Sequence, residues 1–530
     1  MPYNTNQFKT YKLTPTNQNM KELKITPREY QEKIFETCKE KDCLVVLPTG
    51  TGKTLIALMA TIDRFKKFPL EKIVILAPTK PLIEQHFETF KKNLPEGWAD
   101  MQLFTGKTQA DKRKEIWQTA EFIFSTPQCI ANDLDKMLYK LDQVSLLIVD
   151  ECHRCLKNYA YNRVAQKYKM QSTNGRVLAL TASPGGDKET IQQVCKNLGI
   201  EAVEIRTRES PDVKPYLQEL EFEKIEVDFP PEFLEIKLLL EEIYNKKISE
   251  LKHRRVLFGY ASKTMLLKTQ SRLMTKKGKK DMNDFLAISA CATALKISHA
   301  LTLLETQTMS SFIAYLKDLF KQAAEQKSKG VQKLVKNPAF AKAYTLATTL
   351  NKEHPKVELL KEIVKEQFQI DPNSRIIVFA QFRETVRKIS ETLNQIPGIH
   401  ADNFVGQAIK DHGKGKITGL KQKEQKEMIE KFKLGEINIL VATSIAEEGL
   451  DIPEVNEVIF YEPIPSAIRS IQRRGRTARL SKGALKILVT KKTLDEIFHY
   501  AAHHKEKRMH TAIEQIKKDF ESKETQSELL

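Results

Sequence analysis

Residues 149–155 read Val-Asp-Glu-Cys-His-Arg-Cys, and their side chains permit two chemistries. Cys152 and Cys155 have the C-x-x-C spacing of a zinc clip or a redox pair. Asp150 and Glu151 follow the apolar run LLIV, where carboxylates could hold a magnesium ion beside a phosphate. A second motif bears on the choice. Pro48, Thr49, Gly50, Thr51, Gly52, Lys53 and Thr54 follow the strand-like CLVVL and precede the helix-like LIALMATIDRF. Glycines there let the backbone wrap an anion with its N–H groups, Lys53 is expected to reach the β- and γ-phosphates, and Thr54 to ligate magnesium. The strict phosphate-loop pattern wants Gly where this chain has Leu47.

With a nucleotide supplied by that loop, Asp150 is expected on the metal side and Glu151 to polarise the attacking water. A zinc clip would need two further ligands, and Cys38, Cys43, Cys129, Cys195 and Cys291 form no second close pair. Cys155 is therefore expected to be packing.

The elements that must position these groups are legible as runs. From residue 23 to 229, CLVVLP, KIVILAP, MQLFT, FIFST, SLLIVD and RVLALTAS alternate with helical stretches; the same grammar returns over 354–495 in RIIVFA, INILVATS, EVIFYE and ALKILVT. Short apolar runs without period-two alternation suit strands buried on both faces of a parallel sheet. Between them, 230–353 carries long helix-period patterns and is expected to be an all-helical domain. Residues 1–22 read as an N-terminal extension and 496–530 as a C-terminal helix with a frayed tail. The fold class expected is α/β, with two parallel-sheet domains and an intervening helical one.

Composition agrees with a globular multidomain chain: 530 residues, 41% hydrophobic and 29% charged, suggest about two to four domains. No run of about 18 apolar residues suggests a membrane span, and the polar N-terminus lacks a secretory pattern. Seven scattered cysteines suit a reducing compartment. The cytoplasm is expected, with the nucleoid if the source is archaeal. A net charge of +18 favours a polyanionic partner. About 22 Lys/Arg against about 10 Asp/Glu fall within 231–352, roughly +12 of the excess.

Taken in order, the motifs resemble superfamily 2 helicases of the DExH type: P-T-G-T-G-K-T, A-P-T-K-P-L (77–82), T-G (105–106), S-T-P-Q (125–128), D-E-C-H (150–153), T-A-S (181–183), V-F-A-Q (378–381), A-T-S-I-A-E-E-G-L-D (442–451) and Q-R-R-G-R-T-A-R (472–479). The resemblance implies two RecA-like domains, ATP and Mg2+ as cofactors, and coupling of hydrolysis to domain movement through His153, Thr181 and Ser183. Strand contacts are implied for Thr79, Lys80, Thr105, Gly106, Thr126, Gln381 and Thr443, whose hydroxyls, amides and strand-end backbone can grip phosphates without reading bases. A turn is the plain alternative for each short motif.

Arg476 and Arg479, three apart, are expected to share a helical face and reach the γ-phosphate across the cleft. Gln472, Gly449 and Asp451 approach the nucleotide by resemblance, and Ala478 replaces the usual Gly. P-R-E-Y-Q (27–31) is similar to the adenine-recognising motif, Gln31 offering a paired donor and acceptor and Arg28 a stacking plane; an ordinary helix start is the alternative.

The helical insert, F-V-G-Q (404–407), G-L-K-Q-K-E-Q-K (419–426) and F-Y-E-P-I-P-S-A-I-R-S-I-Q-R-R-G-R (460–476) are similar to the archaeal Hef and eukaryotic FANCM helicase regions. That implies a DNA translocase for forked and four-way junctions, moving 3′ to 5′, with the insert clamping duplex through Lys276, Lys277, Lys279 and Lys280. No E-R-K-x-x-x-D nuclease signature follows Arg479, so no DNA cutting is expected, and a nuclease or sliding clamp acting in trans is a candidate partner. Two alternatives stand: a duplex-RNA-stimulated ATPase like Dicer or the RNA sensors, and an ATP-timed DNA clamp that recruits a nuclease without unwinding.

Overall fold

The computed structural model describes residues 25–218, 220–276, 281–406, 420–446, 452–477 and 482–528. The first sheet contains β1 (Cys43–Val46), β2 (Lys72–Leu76), β3 (Met101–Phe104), β4 (Phe122–Ser125), β5 (Val144–Asp150), β6 (Arg176–Thr181) and β7 (Ala202–Ile205). Its order is β3-β4-β2-β5-β6-β1-β7, with every pair parallel. Leu44 and Val46 face one apolar core while Cys43 and Val45 face another, so the strand is covered on both sides. This is why CLVV reads as a run and not as an alternation.

Helices α1 (Glu29–Glu40), α2 (Lys53–Lys67) and α3 (Lys80–Asn93) start the domain, α2 leaving β1 and α3 leaving β2. Because β1, β6, β5 and β2 are successive neighbours, the phosphate loop, Thr181, Asp150 and Thr79 line up along one carboxyl edge. Ligands of open α/β sheets bind at that edge.

The second sheet contains β8 (Leu220–Val227), β9 (Ile376–Phe379), β10 (Ala401–Phe404), β11 (Ile439–Ala442), β12 (Glu457–Phe460) and β13 (Gly483–Thr490), in the order β10-β11-β9-β12-β13-β8. Here the sequence boundary at residue 229 needs correction. Residues 220–227 pair in parallel with Gly483–Thr490, so the chain crosses to the second sheet before entering the insert. An edge strand buries only one side, and Leu-Glu-Phe-Glu-Lys-Ile-Glu-Val carries no apolar run that could assign it to either sheet.

Between the sheets, six helices from Pro231–His253 to Pro338–Thr349 pack around two apolar cores, one at Phe233, Leu240, Phe312 and Phe340, the other at Leu251, Leu266, Cys291 and Ala294. Met282–Thr306 is long and apolar enough to cross a membrane by length and composition, with a mean hydropathy of 1.4. Half of that window is buried, and its alanines pack against the neighbouring helices at the centre of the bundle.

The C-terminal helix, Leu494–Glu528, does more than trail from the second domain. Met509, Ala512, Ile513 and Ile516 are buried in a core of the first domain, and Lys188 pairs with Asp519 at 2.8 Å. Its first turn is anchored at the opposite end. Asp495 accepts from Lys356 Nζ at 2.8 Å, both side chains being fully buried, and Leu494 N donates to Glu305 of the insert at 2.8 Å. All three domains therefore share this helix.

Candidate functional site

The loop after β1 turns twice through the left-handed region, at Gly50 (φ 80°) and Gly52 (φ 84°), before α2 begins at Lys53. A β-carbon at Gly52 would overlap Gln31 Nε2, so only glycine satisfies both the dihedral and the space. Thr51 Oγ1 donates to Pro48 O at 2.7 Å and Tyr30 OH to Thr51 O at 2.6 Å, which fixes the loop from both sides. Lys53 Nζ lies over the loop's own carbonyls, 3.0 Å from Leu47 O and 3.2 Å from Pro48 O. Reaching a phosphate requires it to exchange these acceptors.

Asp150 ends β5 and is 6% exposed. His86 Nε2 lies 2.8 Å from its Oδ2, and Glu151 N donates to Oδ1 at 3.0 Å. Burial pushes the carboxyl up, but the His86 hydrogen bond and the nearby His86 and Lys53 charges outweigh it, so Asp150 is held below the ordinary carboxylate range. A buried anion facing Lys53 fits a site for a divalent cation.

Glu151 takes φ 50° and ψ 47°, a left-handed conformation uncommon outside glycine, and the sharp turn swings its side chain toward His153. His153 Nδ1 is 3.3 Å from Glu151 Oε2 and 3.2 Å from Thr181 Oγ1. Thr181 Oγ1 donates to Ser183 O and accepts from Ser183 N, each at 3.1 Å, and Ser183 Oγ donates to Met509 Sδ at 2.9 Å. The three residues expected to couple hydrolysis to movement thus form a continuous line from Glu151 to the C-terminal helix. Cys152 and Cys155 are both buried in the first core, where desolvation pushes each thiol up.

The two sheets meet at this edge. The helix Ala467–Arg474 ends at Gly475, whose absent β-carbon is replaced by the Thr49 side chain of the phosphate loop. Gln472 is 3% and Arg476 7% exposed. Arg476 follows the helix end, in a turn leading to the Val455–Thr477 bridge. Arg479, Gly449 and Asp451 lie outside the described residues, as do Lys277, Lys279 and Lys280.

The residues expected to recognise adenine are turned toward the protein. Gln31 Oε1 accepts from Arg28 N at 2.8 Å while Nε2 donates to Thr51 O at 3.1 Å, so the amide braces the loop. The Arg28 guanidinium lies over the ring of Tyr216, 5.0 Å from its centroid, a partner no sequence pattern announced.

The candidate strand contacts occupy the other half of the same edge. Thr79 is the N-cap of α3, and its buried hydroxyl has no partner among the described residues. Lys80 pairs with Glu84 at 3.2 Å, and Glu84 with Lys426 of the second domain at 2.8 Å. Thr105 is buried with its Oγ1 on Lys107 N at 3.4 Å; Gly106 is exposed; Thr126 Oγ1 donates to Cys129 Sγ at 3.3 Å. Gln381 and Thr443 follow the adjacent strands β9 and β11, Gln381 exposed. In the insert, Lys276 pairs with Asp284 at 2.7 Å, which partly neutralises it, whereas Lys252 and Arg255 are exposed.

Comparison with known proteins agrees with this geometry. The DEAD/DEAH box helicase family matches residues 28–191, the helical bundle described as "Putative ATP-dependent RNA helicase" matches 232–354, and the helicase conserved C-terminal domain matches 355–481. The crystal structure of the Pyrococcus furiosus Hef helicase domain superposes with a TM-score of 0.68 and 42% identity, covering 90% of this chain and 98% of that one. Among curated relatives, "Putative ATP-dependent RNA helicase MJ1505" of Methanocaldococcus jannaschii is 39% identical over 92% of this chain, and the mouse Fanconi anemia group M protein homolog 34% over 87%. The Neurospora crassa ATP-dependent DNA helicase mph1 is 34% identical over 89%. The chain spans 60%, 24% and 42% of the lengths of these relatives.

Two parallel sheets closing on a phosphate loop and a D-E-C-H motif define a DExH helicase core of superfamily 2. Within that class, the helical bundle and the Hef match show that this chain belongs to the Hef and FANCM group.

Proposed function

We propose that the chain is an ATP-driven DNA helicase that works on forked and four-way junction DNA in fork repair, tracking 3′ to 5′. The observation that carries the motor reading is the contact of Gly475 with Thr49, because it joins the phosphate loop of one sheet to the arginine-bearing turn of the other. The loop amides of Thr49–Gly52 and Lys53 would hold the triphosphate, with Thr54 and Asp150 holding Mg2+. Bound there, Mg2+–ATP supplies the phosphoanhydride bond and neutralises its charge. Glu151 orients the attacking water and takes its proton; Arg476 and Arg479 stabilise charge on the transferring phosphoryl group.

Hydrolysis loosens the Thr49–Gly475 contact, and the two halves of the strand-binding edge move relative to each other. Thr79, Thr105 and Thr126 grip on one side, and Gln381 and Thr443 on the other, so alternating closure advances the chain along a strand. The basic insert adds a sequence-independent hold on duplex.

The choice of DNA over RNA rests on the likeness to mph1, fml1 and Fancm, named as DNA helicases, against the Methanocaldococcus jannaschii relative and the helical-bundle family, named for RNA. Competition between forked DNA and duplex RNA for stimulation of ATP hydrolysis tests it. Preferential stimulation by forks, with strand displacement, supports the proposal. Stimulation by duplex RNA alone would move the chain to the RNA-sensor class, and hydrolysis without displacement to a clamp.

A further inference from the structure

Helix α3 touches three functional regions at once. Its N-cap, Thr79, carries a buried hydroxyl without a partner among the described residues, at the edge where a strand would lie. One turn on, Glu84 bonds both Lys80 and Lys426, and Lys426 belongs to the helix Gln422–Leu434 of the second domain. Two turns from the cap, His86 is 5% exposed and bonds Asp150 Oδ2 at 2.8 Å. The spacing is not accidental to the fold: β2 lies beside β5, so the helix leaving β2 passes over the end of the strand that carries Asp150.

We propose that α3 is a relay, and that His86 is a positioning residue holding Asp150 in its metal-binding orientation according to whether a strand and the second domain are engaged. The inference rests on the ATPase reading of the site. A helix moves as a rigid body, with His86 about 10 Å along the axis from Thr79. A shift of about 1 Å would stretch the 2.8 Å bond beyond hydrogen-bonding range. Among the described residues Asp150 would then keep the Glu151 N–H alone and be free to rotate. The nucleophile-orienting turn at Glu151 would lose its neighbour's fixed carboxylate at the same moment. Strand binding that seats Thr79 and domain closure that forms Glu84–Lys426 both favour the seated helix, so both raise the fraction of sites ready for metal.

The test compares wild type with His86→Leu and His86→Gln, the latter keeping an N–H donor of similar reach. Two quantities are read: the Mg2+ concentration giving half-maximal tightening of a fluorescent non-hydrolysable ATP analogue, and the ratio of strand-stimulated to basal hydrolysis. Groups that orient a metal ligand typically change metal affinity or activity by about 10- to 100-fold. We expect His86→Leu to need about tenfold more Mg2+ and to lose most of its stimulation ratio, while binding the analogue without Mg2+ as wild type does. His86→Gln should recover much of both. Should His86→Leu fold poorly, Glu84→Gln decides the matter: it weakens the Lys426 tie that seats the helix, so it should lower the stimulation ratio and raise the Mg2+ requirement by less than about tenfold. Variants matching wild type in Mg2+ requirement and stimulation ratio would overturn the relay and leave the ATPase reading intact. A wild type whose analogue binding ignores Mg2+ would overturn both.

Discussion

Gly475 of the second domain packs against Thr49 of the phosphate loop so closely that a β-carbon on the glycine would occupy the position of the threonine hydroxyl. The glycine backbone is ordinary there, with φ −69°, so no conformational need explains the residue. Space does. The arginine-bearing turn lies this close to the phosphate loop because this position lacks a side chain.

Gly475→Ala should therefore fold normally and fail as a motor. Misplacing catalytic groups by about 1 Å can cost about 100-fold in rate, and ATP hydrolysis should fall by that order with the melting temperature little changed. Adding Thr49→Gly removes the overlap and should recover at least about a tenth of the lost rate. Wild-type hydrolysis by Gly475→Ala would show that the contact does not form during turnover.

Glu462 follows β12, 2% exposed, near Lys356, Arg473 and Asp495. Burial pushes its carboxyl up to about 7, more than the two cations pull it down. In the unfolded chain it titrates near about 4.3. Between these values the folded state holds the extra proton, so stability falls as pH rises through the window and the loss is complete above about pH 7, on the order of 3 kcal/mol. Glu462→Gln should flatten this fall, matching wild type near about pH 4 and exceeding it at about pH 8 in the urea midpoint of the second domain. Parallel pH profiles for the two proteins would contradict the assignment.

Lys252 and Arg255, exposed at the end of the helix Pro231–His253, should act on nucleic acid through charge alone. Replacing both with alanine should weaken binding equally for unrelated sequences. The slope of log affinity against log salt should become shallower by about one for each phosphate that is no longer neutralised. Titrations across a salt series check this; an unchanged slope would place the duplex elsewhere.

Much of the architecture was legible because double-sided burial leaves a mark. The strands β1, β2, β4, β5 and β6 bury every or nearly every residue and read as unbroken apolar runs. The two edge strands of the second sheet did not: β8 leaves Glu221, Phe222, Glu223 and Lys224 exposed in succession and β10 reads Ala-Asp-Asn-Phe, so neither carries an apolar run. The positions of the phosphate loop and Asp150 were readable because each follows directly on an apolar strand run. His86 was not, since its meaning depends on β2 lying beside β5. Gln31 showed its donor and acceptor, but not that the loop itself takes them up. The C-terminal segment read as a helix, without saying that one face of it is buried in the first domain.

The most direct test measures ATP hydrolysis and strand displacement by wild type and Glu151→Gln on forked DNA, four-way DNA junctions and duplex RNA. The account predicts that junction and fork DNA stimulate both activities in wild type. In Glu151→Gln, which keeps its nucleotide affinity, both should fall by about 100-fold or more. Displacement that survives in Glu151→Gln, or stimulation by RNA and not by DNA, would contradict it.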